Sequence, residues 1–177
     1  MQKNKKLNFL FIVIITFTIL LVLVIIFLQR KVILLEINKY PENNNLIREV
    51  VHPEEIIKTS YRHSIAKTTV WEVYEITENA RLIQRETHFY DSVAGMPYAA
   101  FGDEVFLMED GKYKIKNMNR PIDLPLYYNV GAIRENHLYI KNKEINLSEL
   151  TGDQLVTINL REVSFWENIM IKIKQNL

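Results

Sequence analysis

The chain has 177 residues, with 22 basic and 21 acidic side chains and no cysteine. The absence of cysteine excludes disulfides, iron–sulfur clusters, cysteine-ligated zinc, thiol catalysis and a lipoprotein anchor. Three of the 22 basic residues are lysines at positions 3, 5 and 6, so the rest of the chain carries 19 basic against 21 acidic groups, a net charge of −2. Such a near-neutral body lacks the basic surface that non-specific nucleic-acid binding needs, and we expect no nucleic-acid partner.

The first predicted element is a segment of 22 residues, 7–28, that has no charged side chain and only three polar ones, Asn8, Thr16 and Thr18. As a helix it would rise about 33 Å, enough to cross a bilayer core of about 30 Å. The alternative is a cleaved signal peptide, which has a shorter apolar region and a small-residue cleavage site. The residues after Leu28 are Gln29, Arg30, Lys31 and Val32, which form no such site. We therefore predict a retained transmembrane anchor whose partner is the lipid bilayer.

The charges on the two sides of this segment predict its orientation. Lys3, Lys5 and Lys6 precede the segment, and Arg30 and Lys31 follow it. The positive-inside rule favours a cytoplasmic N-terminus for this distribution. We predict a single-pass protein of the cell membrane with a cytoplasmic tail at residues 1–6, the anchor at 7–28 and an extracytoplasmic β domain at 29–177.

Short β-branched and aromatic runs, separated by turn residues, fill the rest of the chain. Asp110-Gly111 between two apolar runs is its clearest hairpin signal. A short helical turn is expected at 148–150, and residues 166–174 fit a helix and a strand equally well. The predicted strands are 32–37, 46–51, 56–63, 68–76, 81–90, 105–108, 113–115, 138–140, 144–147 and 154–163. This pattern predicts an all-β fold, a small antiparallel sandwich or barrel preceded by one N-terminal transmembrane helix.

The polar residues do not form a recognisable catalytic set. Adjacent side chains of one strand point to opposite faces, so His63 and Ser64 could not share a hydrogen bond within a strand. There is no G-x-S-x-G motif, and the four histidines lack the short mutual spacing of a metal site. We predict that the protein is not an enzyme and has no cofactor or metal; a hydrolase using Ser64 or a histidine remains the least favoured alternative.

Two short motifs resemble a known family. Residues 61–74 contain His63, Ser64, Lys67, Thr68 and Glu72, and residues 92–97 contain Ala94, Gly95 and Pro97. Both are similar to motifs of the domain-of-unknown-function family DUF1850, which is often encoded beside TAXI-type TRAP transporters. Two positions depart from the family pattern, Thr69 where Pro is frequent and Val93 where Gly is frequent.

The resemblance implies an extracytoplasmic β domain accessory to a TAXI-type TRAP permease or its solute-binding protein. The alternative function is a stand-alone cell-surface module that binds or senses a small ligand. For either function the candidate binding residues are His63, Ser64, Glu72, Gly95 and Pro97. We expect residues 64–68 to form a hairpin turn capped by hydroxyl groups. If the register places His63 beside Glu72, the pair would act as a pH-sensitive lock.

Overall fold

Two antiparallel sheets make up most of the chain in the computed structural model, which describes residues 2–91 and 93–175. Met1, in the predicted tail, Ser92, in the second motif, and Asn176 and Leu177 lie outside the described residues. The elements in order are α1 (Gln2–Leu28), β1 (Lys31–Lys39), β2 (Asn44–Val51), β3 (Ile56–Arg62), β4 (Thr69–Ile76), β5 (Leu82–Phe89), β6 (Val105–Glu109), β7 (Lys112–Lys116), β8 (Arg120–Ile122), β9 (Leu126–Val130), a 3-10 helix (Ala132–Arg134), β10 (His137–Ile140), β11 (Lys143–Asn146), α2 (Leu147–Thr151), β12 (Gln154–Ser164) and α3 (Phe165–Gln175).

The chain divides into two compact units, Met1–Val32 with Glu162–Leu177, and Ile33–Arg161. The first unit contains α1, whose segment Phe11–Leu28 is long and apolar enough to cross a bilayer, with none of it buried by the protein. The hydroxyls of Thr16 and Thr18 donate to the carbonyl oxygens of Val13 and Ile14, at 2.9 Å each, so their polar groups are satisfied within the helix. These features are consistent with a single-pass anchor, and an N-terminal signal sequence shares them.

Helix α3 belongs to the same unit and settles the ambiguity of residues 166–174 in favour of a helix. The Ser164 hydroxyl accepts a hydrogen bond from the Glu167 backbone N–H at 3.1 Å, which satisfies one of the free amides at the start of the helix. The ring of Phe165 meets that of Phe27 edge to face, with 5.1 Å between centroids. Its backbone N–H donates to the carbonyl oxygen of Arg30 at 2.8 Å.

The second unit is a sandwich of the two sheets. One sheet has the strand order β2-β1-β12-β9, and the other has β11-β10-β3-β4-β5-β7-β6, with β8 also paired to β5. A single apolar core contains side chains from both sheets, including Leu35 and Val156 from the first and Ile57, Ile76 and Leu138 from the second, all less than 2% exposed. The predicted all-β fold is therefore confirmed.

Local sequence signals explain the hairpins. Asp110 and Gly111 both have positive φ, +54° and +71°, as a two-residue type I′ turn requires. Strands β8 and β9 were not expected, because prolines at positions 121 and 125 interrupt this part of the sequence. Tyr127 and Tyr128 lie on opposite faces of β9. The two alternate along β9, so Tyr127 is 55% exposed whereas Tyr128 is only 9% exposed.

The pairing of β3 with both its neighbours positions the candidate site. β3 and β4 form a hairpin in which Arg62 lies opposite Thr69, so the turn begins at His63. On the other side, β10 runs antiparallel to β3 with His137 opposite Ser60. On the N-terminal side of β10, Glu135 follows the 3-10 helix and pairs with Arg62, the last residue of β3, at 3.3 Å. The 3-10 helix Ala132–Arg134 is thereby brought next to the β3–β4 turn.

Candidate functional site

The side chain of His63 caps the β3–β4 turn. Its Nδ1 accepts hydrogen bonds from the backbone N–H groups of Ile65 and Ala66, at 3.3 and 3.2 Å. Its backbone N–H donates to the carbonyl oxygen of Thr68 at 2.9 Å, and its carbonyl accepts from the Lys67 N–H at 2.9 Å. A ring nitrogen that accepts two amide hydrogens carries none of its own, so the ring proton lies on Nε2. The imidazole therefore performs the capping that we expected of hydroxyl groups.

The second motif reaches the other side of the same imidazole. A Cβ built on Gly95 would lie 3.5 Å from His63 Nε2, which is ordinary van der Waals contact. Gly95 has φ +91°, a conformation that side-chain-bearing residues rarely adopt, so glycine is required by the backbone rather than by lack of space. The two motifs, about thirty residues apart in the sequence, thus meet at one ring.

A cavity of about 490 Å³ opens beside this turn. Three of its lining side chains are cationic, and the others are an imidazole, a hydroxyl and one apolar group; the six residues are Arg62, His63, Ser64, Lys67, Ile133 and Arg134. All of them belong to the β3–β4 turn or to the 3-10 helix that the β10 register brings beside it. Such a volume is within the range of small-molecule sites, about 300 to 1,000 Å³.

Only one of the three cations forms an ion pair among the described residues. Arg62 pairs with Glu135 at 3.3 Å, and its Nε donates to the Lys67 carbonyl at 3.0 Å. Lys67 and Arg134 make no ion pair with any residue that the structure describes. The cavity therefore carries an excess of positive charge, although the unit around it is close to neutral overall.

The sandwich interior next to this end is unusually polar. The Tyr74 hydroxyl donates to Glu72 Oε2 at 2.7 Å. Burial raises the pKa of the Glu72 carboxyl, and the hydrogen bond from Tyr74 opposes this only in part. Burial, together with the Glu72 carboxylate, raises the pKa of Tyr61 to about 12. The hydroxyls of Thr59 and Tyr128 are also buried in this interior, and Thr59 lies near both Tyr74 and Tyr128.

The structure brings together three of the five candidate residues. His63 and Ser64 line the cavity, and Gly95 contacts His63 from outside it. Pro97 is half-buried in the Gly95 loop and is not among the residues that line the cavity. Glu72 lies opposite Thr59, four residues before His63 on β3, which separates their Cα levels by roughly 13 Å. The register therefore does not place His63 beside Glu72, and Glu72 belongs to the polar interior instead.

Sequence reasoning missed Ile133 and Arg134, the two residues that complete the cavity. They are some seventy positions from the turn, and no motif marks them. Only the register of β10 against β3 places them there. Lys67 is exposed in the predicted turn, and its φ of +58° reflects the tight return of the chain. The sequence did contain one signal for a cationic site, because Arg62 and Lys67 lie on either side of His63 and Ser64.

A second cavity, of about 250 Å³, lies elsewhere in the sandwich. Its polar lining is mostly amide and hydroxyl groups, and its residues include Tyr40, Tyr127, Thr157 and Asn159. The rings of Tyr40 and Tyr127 meet edge to face at 5.4 Å. It contains neither of the two sequence motifs, so the turn cavity is the stronger candidate.

Replacing the capping imidazole should loosen the turn. We expect His63→Ala to lower the free energy of unfolding by about 1 kcal/mol, because two backbone amides lose their acceptor. His63→Asn should retain most of the stability, since its side-chain oxygen can accept from the same amides. Urea unfolding of the detergent-solubilised chain, followed by the circular dichroism of the β domain, measures both variants. Equal losses for Ala and Asn would contradict the capping role.

Glu72 should make the domain less stable as the pH rises. Its pKa in the folded state is above the ordinary value of 4.5, so the folded state holds the proton more tightly than the unfolded state. The resulting stabilisation is complete below 4.5 and is lost as the pH rises through the raised folded pKa. Glu72→Gln keeps an acceptor for Tyr74 and removes the titration. The Tm of the wild type minus that of Glu72→Gln should fall with increasing pH; a difference that stays constant would refute this account.

The two motifs and the whole cavity lining fall within one family match. A model described as "Domain of unknown function (DUF1850)" matches residues 57–147, just over half of the chain. No curated protein and no solved structure matches the chain. The matched residues begin in β3 and end at the start of α2, and they include the β3–β4 turn, the Gly95 loop and the 3-10 helix. The chain therefore belongs to the DUF1850 family, and its candidate site lies entirely within the family domain.

Proposed function

We propose that this protein is a membrane-anchored domain that binds a small anionic ligand in the cavity beside the β3–β4 turn. The observation that carries the proposal is the convergence of Lys67 and Arg134, two cations that form no ion pair within 4 Å among the described residues, on a cavity of about 490 Å³. An arginine offers a planar pair of N–H donors that matches a carboxylate or phosphate, and a lysine adds a second, more flexible charge. The Ser64 hydroxyl supplies a further donor at the same cavity.

The proposal contains no catalytic step. His63 is next to Ser64 in the chain, but its Nδ1 already accepts from the two turn amides and its Nε2 lies toward Gly95. Neither nitrogen is left to act as a base toward the Ser64 hydroxyl. The site therefore supports recognition rather than hydrolysis.

The membrane part of the proposal rests on α1. Its apolar length fits one crossing of a bilayer, and the three lysines before it favour an N-terminus on the cytoplasmic side. In this arrangement the anchor is retained and the β domain faces the extracytoplasmic side. A ligand site there would meet solutes from outside the cell.

The partner in this proposal is a TAXI-type TRAP permease or its solute-binding protein. The support is the family resemblance, together with a cationic cavity suited to anionic solutes. The second candidate function is a stand-alone sensing module, which the same cavity also supports. The two differ in whether the domain associates with a transporter.

Binding to the cavity should depend on its two unpaired cations. We expect inorganic phosphate, acetate or succinate to raise the Tm of the full chain in detergent, since a ligand at about 100 times its Kd stabilises the folded state by about 2.7 kcal/mol. Arg134→Ala and Lys67→Asn should each weaken binding roughly tenfold or more, because each removes a charge-assisted hydrogen bond. Isothermal titration calorimetry gives the affinities.

Two features make this test specific. Arg81→Ala is the matched control, because Arg81 is exposed on the β4–β5 connection and does not line the cavity. Lys67→Asn should not lower the Tm without ligand, since asparagine tolerates the positive φ at this position better than lysine does. Binding of any of the anions with unchanged affinity in both cavity variants would refute the site.

The transporter association has its own test. We expect the full chain, solubilised from membranes in mild detergent, to co-purify with a TAXI-type TRAP permease or its solute-binding protein. Deletion of the gene should then reduce uptake of the transported solute. Normal uptake in the deletion strain, with no co-purification, would favour the stand-alone sensing module.

A further inference from the structure

Helix α3 presents an apolar face that the protein itself does not cover. Trp166, Met170 and Ile173 recur at the i, i+4 and i+7 spacing of one helical face. They are 52%, 36% and 48% exposed, whereas Asn168, on the other side of the helix, is only 3% exposed. The helix therefore buries a polar residue and exposes three large apolar ones, the reverse of what packing onto a water-facing domain would give.

The start of α3 is fixed beside the end of α1. The Phe165 ring packs against Phe27, in the last turn of α1, with 5.1 Å between centroids. The Phe165 N–H donates to the carbonyl of Arg30, two residues after α1 ends at Leu28, at 2.8 Å. These two contacts hold the first residue of α3 at the depth where the apolar length of α1 ends.

We propose that α3 lies along the lipid–water interface, with Trp166, Met170 and Ile173 inserted among the lipid headgroups and upper acyl chains. This inference rests on the proposed anchoring by α1, because the contacts at Phe165 then place α3 at the membrane surface. Tryptophan prefers this interfacial depth, since its ring is apolar and its N–H is polar. In this placement the exposed apolar residues of α3 and those of α1 both contact lipid.

The charges near α3 match a membrane surface. Lys172 and Lys174 lie in the last turn, and both are exposed. Arg30 and Lys31 are exposed at the end of α1, although Lys31 pairs with Glu162 at 2.7 Å. Basic side chains beside an inserted apolar face are typical of helices that lie on anionic lipid surfaces.

Single-cysteine variants test this placement without background, because the chain has no cysteine of its own. Met170→Cys and Ile173→Cys probe the apolar face, and Lys172→Cys is the matched control, one residue away but rotated by about 100° around the helix. The full chain is placed in nanodiscs of phosphatidylcholine and phosphatidylglycerol and treated with a membrane-impermeant maleimide. Cysteines 170 and 173 should react roughly tenfold more slowly than cysteine 172, a factor that burial of one large apolar group readily supplies.

Three results would overturn the inference. Equal reaction rates at all three positions would mean that the apolar face is in water. Disulfide-linked dimers of the Ile173→Cys variant on mild oxidation would mean that a second copy of the chain covers it. Release of the chain from native membranes by alkaline carbonate would overturn the anchor and this inference together, whereas a retained chain with an unprotected face would overturn the inference alone.

Discussion

The hydrogen bonds from two backbone amides to one imidazole organise the candidate site. Without the Nδ1 of His63, the amides of Ile65 and Ala66 would turn toward solvent, and nothing else described in the turn accepts from them. The Nε2 atom of the same ring lies close to Gly95. The conformation of the β3–β4 turn then determines the positions of Lys67 and Ser64. The His63 side chain thereby contributes to the shape of the β3–β4 turn, to the contact with the loop that contains Gly95 and to the position of the Lys67 charge.

Much of the fold could be predicted because its signals are local. Alternating apolar residues predicted the long strands, and Asp110-Gly111 predicted a hairpin. Both signals depend only on the chemistry of a few neighbouring residues. Strands β8 and β9 could not be predicted, because Pro121 and Pro125 interrupt the strand pattern there. There the pairing with other strands outweighs the local preference against strand formation.

The candidate site was predictable only in part, and for a physical reason. His63, Ser64 and Gly95 could be selected because short motifs contain them. Arg134 could not be selected, because its approach to the turn depends on how β10 pairs with β3. The sequence of neither strand alone determines that register. The sequence left the position of Glu72 relative to His63 open for the same reason. Its position on β4 allowed a contact with His63 only in a register that the hairpin does not adopt.

The strand order of the smaller sheet has a consequence for biosynthesis. The first strand, β1, lies beside the last, β12, although more than a hundred residues separate them in the sequence. Loop-closure entropy for such a distant partner must be overcome before the contact contributes any stability. A ribosome-bound nascent chain can therefore form the β1–β2 hairpin early, but it cannot complete this sheet until β12 has emerged. Completion of the sheet thus waits for more than a hundred further residues after the hairpin.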